Sequence, residues 1–387
     1  MDRFTRTKKQ EQLLDWVGDL ADRFAERADE VDREGAFPFE NFRDLKESGY
    51  LALTIPEKYG GKEISLYDFL LLQERLGQGD ASTSLAVGWH LGIFMDLADR
   101  REWDENTFQR MCREIVESKV LVNRAATEPA TGSPTRGGKP ETTAKQDGNQ
   151  WILNGRKTFT TMAPGLDYAL VTATLDGTDD VGGFLVPCSS EGVRIENTWD
   201  TLGMRGTRSD DLIMDNVVLS DEAMVEKHES DNKKRAPMGW LLHIPACYLG
   251  VAAAARNFAV RFAKEYKPNS LPGPIAEVPH VQQKIGEMEL ELLKARTLMY
   301  STAERWDSDP EGRDSMQPDL AAVKTVATNA AVSVVDLAMR LVGGKSISHS
   351  MPLERYYRDV RAGIHNPPND DITISVLAKA ALEEAAP

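Results

Sequence analysis

Between residues 8 and 33 the apolar positions Leu13, Val17, Leu20, Phe24, Ala28 and Val31 recur at spacings of three and four, with Asp, Glu, Arg and Lys between them. That period predicts an amphipathic helix with one face toward a core. Pro38 closes the connection, and a second, short helix is expected over Asn41 to Ser48, stopped at Gly49. A brief apolar run to Ile55 ends in the turn Gly60-Gly61, and residues 66–118 return to a helical period through Leu70-Leu71-Leu72 and Ile93 to Leu97. From 119 to 228 the period changes to alternation, with candidate strands at Val120 to Ala126, Trp151 to Thr161, Tyr168 to Ala173, Gly183 to Pro187 and Leu212 to Leu219. The dipeptide Asn154-Gly155 predicts a hairpin turn inside the second of these. Glu226 to Met238 reads as a charged linker, and helices follow at Gly239 to Tyr266, Val278 to Trp306, Asp319 to Val342 and Asp370 to Leu382. The third is apolar nearly all round after Val323, as expected inside a bundle or at a subunit interface. The pattern therefore predicts an α+β chain of three parts: a helical domain over 1–118, a compact β domain over 119–228 and a helical domain over 229–387.

Composition narrows the class. A chain of 387 residues with 41% hydrophobic and 28% charged residues suits a soluble globular protein of two or three domains. Residues Met1 to Lys9 have no apolar segment behind their charges, so no signal peptide is expected. No run approaches the roughly 18 apolar residues of a membrane span. Cys112, Cys188 and Cys247 are odd in number and widely spaced, which argues against a disulfide framework or a zinc site and makes a reducing cytoplasm the expected compartment. A net charge of −15 excludes nucleic acid as a natural partner, since that affinity rests on neutralising phosphates. Any anionic ligand needs local basic groups, for which Arg136, Lys139, Arg156, Lys157, Arg205 and Arg208 are candidates, although solvated surface is the ordinary fate of such residues.

The stretch from Asn123 to Thr161 carries the candidate chemistry. Its first strand breaks at Pro129 and Gly132, leaving backbone amides and the hydroxyls of Thr127, Thr131 and Ser133 at a strand end; its second ends in Phe159-Thr160-Thr161. Two strand ends presenting hydroxyls, amides and one aromatic face suit a flat heteroaromatic ring. The run Thr127-Glu128-Pro129-x-x-Gly132-Ser133, followed some twenty residues later by Asn154-Gly155-x-Lys157-x-Phe159-x-Thr161, resembles the flavin-contacting part of the acyl-CoA dehydrogenase superfamily. Pro56-x-x-Tyr59-Gly60-Gly61, Leu202-Gly203-Met204-Arg205, Gly343-Gly344 and Arg358-Asp359 resemble further segments of that family, so the likeness covers nearly the whole chain.

The resemblance implies a β-barrel-like central domain, a C-terminal four-helix bundle and FAD as cofactor. It implies an acyl-CoA substrate, a protein electron acceptor and a homotetramer or homodimer. Carried over by position, Thr127 bonds the pyrimidine side of the flavin, Phe159 stands where a Trp usually stacks on the ring, and Thr160 and Thr161 lie in the flavin-facing run. Ser133 is shared between flavin and the CoA arm, Arg205 joins it in meeting substrate, and Gly343 and Gly344 form the loop that reaches the FAD of a neighbouring subunit.

The chain also departs from the family. Pro134 stands for an Asp and Arg340 for a Gln, and Lys267 to Pro274 replaces the segment that holds the FAD pyrophosphate. Most members carry a Glu base a fixed distance after the Arg-Asp pair; that position is Pro367 here, and Trp240 occupies the alternative position on the first bundle helix. His365, two residues before Pro367, is the candidate base, because imidazole titrates near neutral pH; a loop His capping the next helix is the ordinary alternative. His243 and Asp370 are weaker candidates. His90, in Ala86-Val87-Gly88-Trp89-His90-Leu91-Gly92, is a second catalytic candidate set against the commoner role of a buried core His. His-Asn-Pro after Arg-Asp-x-Arg also resembles flavin-dependent monooxygenases of this fold. Three readings stand: α,β-dehydrogenation of an acyl-CoA, monooxygenation, and a flavin or acyl-CoA binder without turnover.

Overall fold

The computed structural model describes residues 3–131, 138–228 and 236–384. The N-terminal part is helical: α1 (Lys8–Glu34), α2 (Phe39–Ser48), α3 (Leu66–Gly77), α4 (Ala81–Arg100) and α5 (Glu105–Arg113). Local chemistry sets their ends. The Thr7 hydroxyl accepts from Gln10 N–H at the start of α1, Gly35 closes it at φ 60°, and the Asp80 carboxylate accepts from Thr83 N–H to start α4.

The central part is one sheet of eight strands: β1 (Val122–Ala125), β2 (Thr143–Asp147), β3 (Gln150–Lys157), β4 (Tyr168–Leu175), β5 (Val181–Pro187), β6 (Val193–Glu196), β7 (Asp211–Ser220) and β8 (Met224–His228). The order is β6-β7-β3-β2-β4-β5-β8, with β1 parallel to β4. Among the described residues no ladder joins the two ends of that path. Three strands escape the alternation test. β2 reads Thr-Ala-Lys-Gln-Asp and buries only Ala144, β6 is four residues long with no buried position, and β8 buries only Glu226.

Asn154-Gly155 is not a hairpin turn. β3 runs straight through it, with a register shift against β7 between Leu153 and Gly155; the turn falls at Gly148-Asn149, between β2 and β3. Gly155 sits at φ 157°, and a Cβ there would lie 2.4 Å from Thr142 Oγ1, so the glycine serves a bulge under close backbone approach. Phe159 to Thr161 consequently lie beyond the strand rather than within it.

The C-terminal part holds α6 (His243–Glu265), α7 (Pro279–Ser308), α8 (Gln317–Val342), α9 (Leu353–Gly363) and α10 (Asp370–Glu384). Among the described residues that is five helices, one more than expected: α9 is only three turns long, with five of its eleven residues charged, too short a stretch for its period to stand out. By length and mean hydropathy the segment Gln317–Ile347 is apolar enough to cross a membrane. Here α8 buries Val323, Ala327, Ala331, Val334, Val335 and Ala338 against its neighbours, as a bundle core helix does. Helices from both ends of the chain share one apolar core, while the sheet has its own around Trp151, Phe184 and Leu212.

Glu226 corrects the linker expectation. It lies in β8, its side chain buried, and holds the Arg124 guanidinium by two bonds of 2.7 Å while accepting from Trp103 Nε1–H at 3.0 Å. Burial alone would raise its pKa; Arg124, His228 and Trp103 outweigh that and hold the carboxyl below the usual range. The triad ties the sheet to the segment between α4 and α5.

Candidate active site

Behind the strand ends lies a buried ion pair. Lys157, the last residue of β3, is fully buried and places Nζ 2.5 Å from Glu128 Oε1, which also accepts from Thr142 N–H, while Oε2 accepts from Glu141 N–H. Burial pushes the Glu128 carboxyl up, but Lys157 and the backbone donors outweigh it, so the group stays ionised below its ordinary range. Glu128 is thereby a structural group. It holds together the two segments that carry Thr127 and Phe159, which also share a bond from Thr158 N–H to the Thr127 carbonyl at 2.9 Å.

Beyond Lys157 the chain turns. Phe159 adopts φ 54°, a costly conformation for a non-glycine residue; the residue is 64% exposed, and its ring stands near-perpendicular to that of Trp199, centroids 5.6 Å apart. Thr160 is fully buried, and its Oγ1 meets no hydrogen-bond partner among the described residues. Thr161 Oγ1 pairs with Ser209 Oγ at 2.9 Å, Ser209 pairs with Thr207 Oγ1 at 3.0 Å, and Asn123 Nδ2 donates to the Thr161 carbonyl. Thr127 is half-buried. A strained turn that presents one bare aromatic face beside an orphaned hydroxyl fits a flat, hydrogen-bonding ring. Ser133 and Arg136 lie outside the described residues.

The turn at 204–209 joins this site to the C-terminal helices. Asp359 Oδ1 on α9 accepts from Met204 N–H at 2.6 Å, and Arg358 clasps Asp32 on α1 and Glu354. Burial pushes the Asp359 carboxyl up to about 7, against the pull of Met204 N–H and Arg355. A carboxyl with a folded pKa above its unfolded value stabilises fully below the unfolded value, near 3.9, and loses that contribution as pH rises through about 7. Asp359→Asn is therefore expected to melt near wild type at pH 4 and above wild type at pH 8. A melting difference independent of pH between 4 and 8 removes this account.

Six residues beyond Asp359, the loop between α9 and α10 carries His365. Its ring is exposed and meets no hydrogen-bond partner among the described residues. The loop itself is held: Tyr248 on α6 donates to Asn366 Oδ1 at 2.9 Å, and Lys324 on α8 reaches the Ile364 carbonyl at 3.4 Å. Asp370 opens α10, where Asn329 donates to its Oδ2.

His90 departs from its catalytic candidacy. It is fully buried; Val122 N–H donates to Nδ1 at 3.1 Å, and Nε2 faces the Leu51 carbonyl at 3.2 Å, which assigns the proton to Nε2. Burial pushes its pKa down to about 4. The ring clamps α4 to β1 and to the turn Tyr50–Ala52, with no nitrogen left for a reacting group. A depressed folded pKa means its contribution is complete above the unfolded value, near 6.5, and is lost as pH falls through about 4. His90→Leu orphans two backbone groups and is expected to cost about 2–4 kcal/mol in urea titration at pH 7; a loss under 1 kcal/mol contradicts the clamp.

Arg205 also departs from its expected role. Its Nε donates to the Asp32 carbonyl at 2.8 Å and its Nη1 to the Thr201 carbonyl and Asp200, so the guanidinium locks the sheet domain to α1. The other described basic candidates have acidic partners too: Lys139 with Asp179, Arg156 with Asp211, Lys157 with Glu128 and Arg208 with Asp210. Gly343 and Gly344 form the turn Gly343–Ile347 after α8, with Gly343 at φ 75° and open space at both Cβ positions. Sequence reasoning missed Asn123, Ser209, Asp210 and Trp199. Only their side-chain partners reveal them, apart from Trp199, an aromatic in a polar run.

Family models match the chain in three consecutive pieces: the acyl-CoA dehydrogenase N-terminal domain over residues 7–100, the middle domain over 123–217 and the C-terminal domain over 242–382. The chain belongs to the acyl-CoA dehydrogenase family, whose fold it has, and its cofactor is a flavin. Among its relatives, YdbM of Bacillus subtilis (strain 168), named as a candidate acyl-CoA dehydrogenase, is 50% identical over 383 residues, covering 99% of this chain and all of that one. The solved structure of KijD3 with FMN and a dTDP-amino sugar is 26% identical, with a TM-score of 0.86 over 98% of this chain and 95% of that one. Butyryl-CoA dehydrogenase from Megasphaera elsdenii, at 23% identity and a TM-score of 0.87 over 99% of this chain and 100% of that one, shares the fold.

Proposed function

We propose that the protein is an FAD-dependent oxidoreductase that introduces an α,β double bond into an acyl-CoA thioester, with His365 as the base. The observation that carries this reading is the free imidazole of His365, held on an anchored loop two residues before the position where most of the family has its Glu. Flavin supplies the hydride acceptor for the β-carbon. Thr127, Phe159 and Thr160 hold and cover its ring, and Gly343 and Gly344 receive the adenosine end from a neighbouring subunit. His365 takes the proton from the carbon beside the thioester carbonyl, and the product is the 2-enoyl thioester. The exposed apolar side chains Leu290, Ile374 and Leu382 on α7 and α10 support a homo-oligomer, and a protein carrier takes the electrons onward.

A second reading, oxygen insertion by a flavin monooxygenase, is favoured by one specific observation: Pro367 stands where the dehydrogenases keep their Glu. Anaerobic mixing of the FAD-loaded protein with a panel of acyl-CoAs separates the two. Bleaching of the oxidised flavin band is the expected result. No bleaching by any thioester, followed by oxygenated product when reduced flavin and oxygen are added, transfers the assignment to the monooxygenase.

A further inference from the structure

At the start of α6, where Trp240 occupies the alternative position of the family's base, four rings meet between α3, α4 and α6. His243 lies parallel to Trp240 at 5.9 Å and near-perpendicular to Trp89 at 5.0 Å, with Phe69 6.1 Å away on α3. His243 is fully buried, and both its nitrogens, together with Trp240 Nε1, have no hydrogen-bond partner among the described residues. Three orphaned polar atoms in one buried cluster are unusual in a native core, where such groups are met by protein, water or ligand. The cluster is also fitted against bare backbone. A Cβ at Gly88 would fall 2.2 Å from His243 Nδ1, and one at Gly92 would fall 2.1 Å from Trp240 Cε3. Two glycines inside a buried helix are unfavourable for that helix, so the chain sacrifices helix propensity to seat these rings.

The cluster shares its helices with residues that hold both halves of the candidate site. On α4, His90 follows Trp89 directly and is bonded to Val122, and the next residue of β1, Asn123, holds the Thr161 carbonyl. On α6, Tyr248 is five residues past His243, about 7.5 Å along the helix, and holds Asn366 beside His365.

We infer that Trp89, Trp240 and His243 form the far end of the substrate site and select a short, flat substrate that ends in a neutral hydrogen-bonding group, a phenol being the chemistry that suits them. Aromatic walls favour a planar partner. Burial pushes the His243 pKa down to about 3, so the ring is a neutral donor and acceptor at working pH and offers no charge to a carboxylate. The proposal rests on the acyl-thioester reading above, and its test separates the two.

Calorimetry on the FAD-loaded full chain compares three enoyl thioesters that cannot reduce flavin: 4-coumaroyl-CoA, cinnamoyl-CoA and 2-octenoyl-CoA. The expected result is that 4-coumaroyl-CoA binds at least tenfold tighter than the other two, and that His243→Phe, which keeps a ring but no nitrogen, abolishes its advantage over cinnamoyl-CoA. Tightest binding of 2-octenoyl-CoA, less than a twofold preference for the phenol, or a preference that survives in His243→Phe overturns the inference. Should His243→Phe lose its flavin, Trp240→Phe decides, with the same preference reduced at least threefold if the inference holds and unchanged if it does not. If no thioester binds, the acyl-CoA reading falls, and 4-ethylphenol against ethylbenzene tests the cluster alone: a tenfold preference lost in His243→Phe keeps it, and equal binding removes it.

Discussion

Lys157→Met lowers the stability of this chain by about 3–5 kcal/mol and leaves the purified protein without flavin. The loss follows from the Glu128 carboxylate, which is buried, ionised and 2.5 Å from the Lys157 ammonium. Removing the ammonium leaves an unpaired charge away from water, and breaking a buried pair from one side typically costs about that amount. The flavin is lost for a second reason. Glu128 also receives the amides of Glu141 and Thr142, so the carboxylate sets the spacing between the loop after Thr127 and the start of β2. Without its counter-ion the carboxylate takes up a proton or pulls toward solvent, and the strand ends move apart. The check is a urea titration together with flavin content after gel filtration. The double replacement Glu128→Leu with Lys157→Met is expected to recover most of the stability, because no lone charge remains. A single variant that keeps its flavin and lies within 1 kcal/mol of wild type contradicts this account.

His365→Ala slows anaerobic bleaching by acyl-CoA about 10²- to 10⁴-fold, the usual contribution of a positioned general base, while flavin content and melting temperature stay unchanged. The ring makes no bond to the described protein, so removing it orphans nothing and leaves the loop anchored through Tyr248 and Lys324. Stopped-flow absorbance with one good thioester measures the rate. His365→Gln, which keeps the polar volume but cannot take a proton, is expected to fall with the alanine variant. Bleaching at the wild-type rate in both variants keeps the dehydrogenase and discards His365 as its base.

What was legible in advance was whatever one face of one element reports. The stripe Leu13, Val17, Leu20, Phe24 announces α1 because a helix repeats every 3.6 residues whatever it packs on. β4 and β5 announce themselves as apolar runs buried within the sheet. The paired motifs around Thr127 and Phe159 were legible too, since each is a short, local arrangement. The roles of single polar residues were not. Glu226 looks like part of a charged linker until Arg124, 102 positions away, closes on it. His90 and His365 are both single histidines in sequence, and only burial against Val122 and Leu51 separates the clamp from the free ring. Asn154-Gly155 misleads because a turn and a bulge need the same backbone freedom, and the proximity of Thr142 decides between them.

The sequence by itself determined the three-part order of helices, sheet and helices and the flavoprotein family, because periodicity and motif spacing are properties of near neighbours. The tertiary structure decided the partners: that Arg205 is engaged on Asp32 and Asp200 rather than free for substrate, that Glu128 is a buried counter-ion, and that His243 and Trp240 meet Trp89 with their polar atoms unanswered. The physical reason is that charge pairing, desolvation and ring packing act over a few ångströms of space between residues far apart in the chain, and no spacing along the chain encodes which of them will meet.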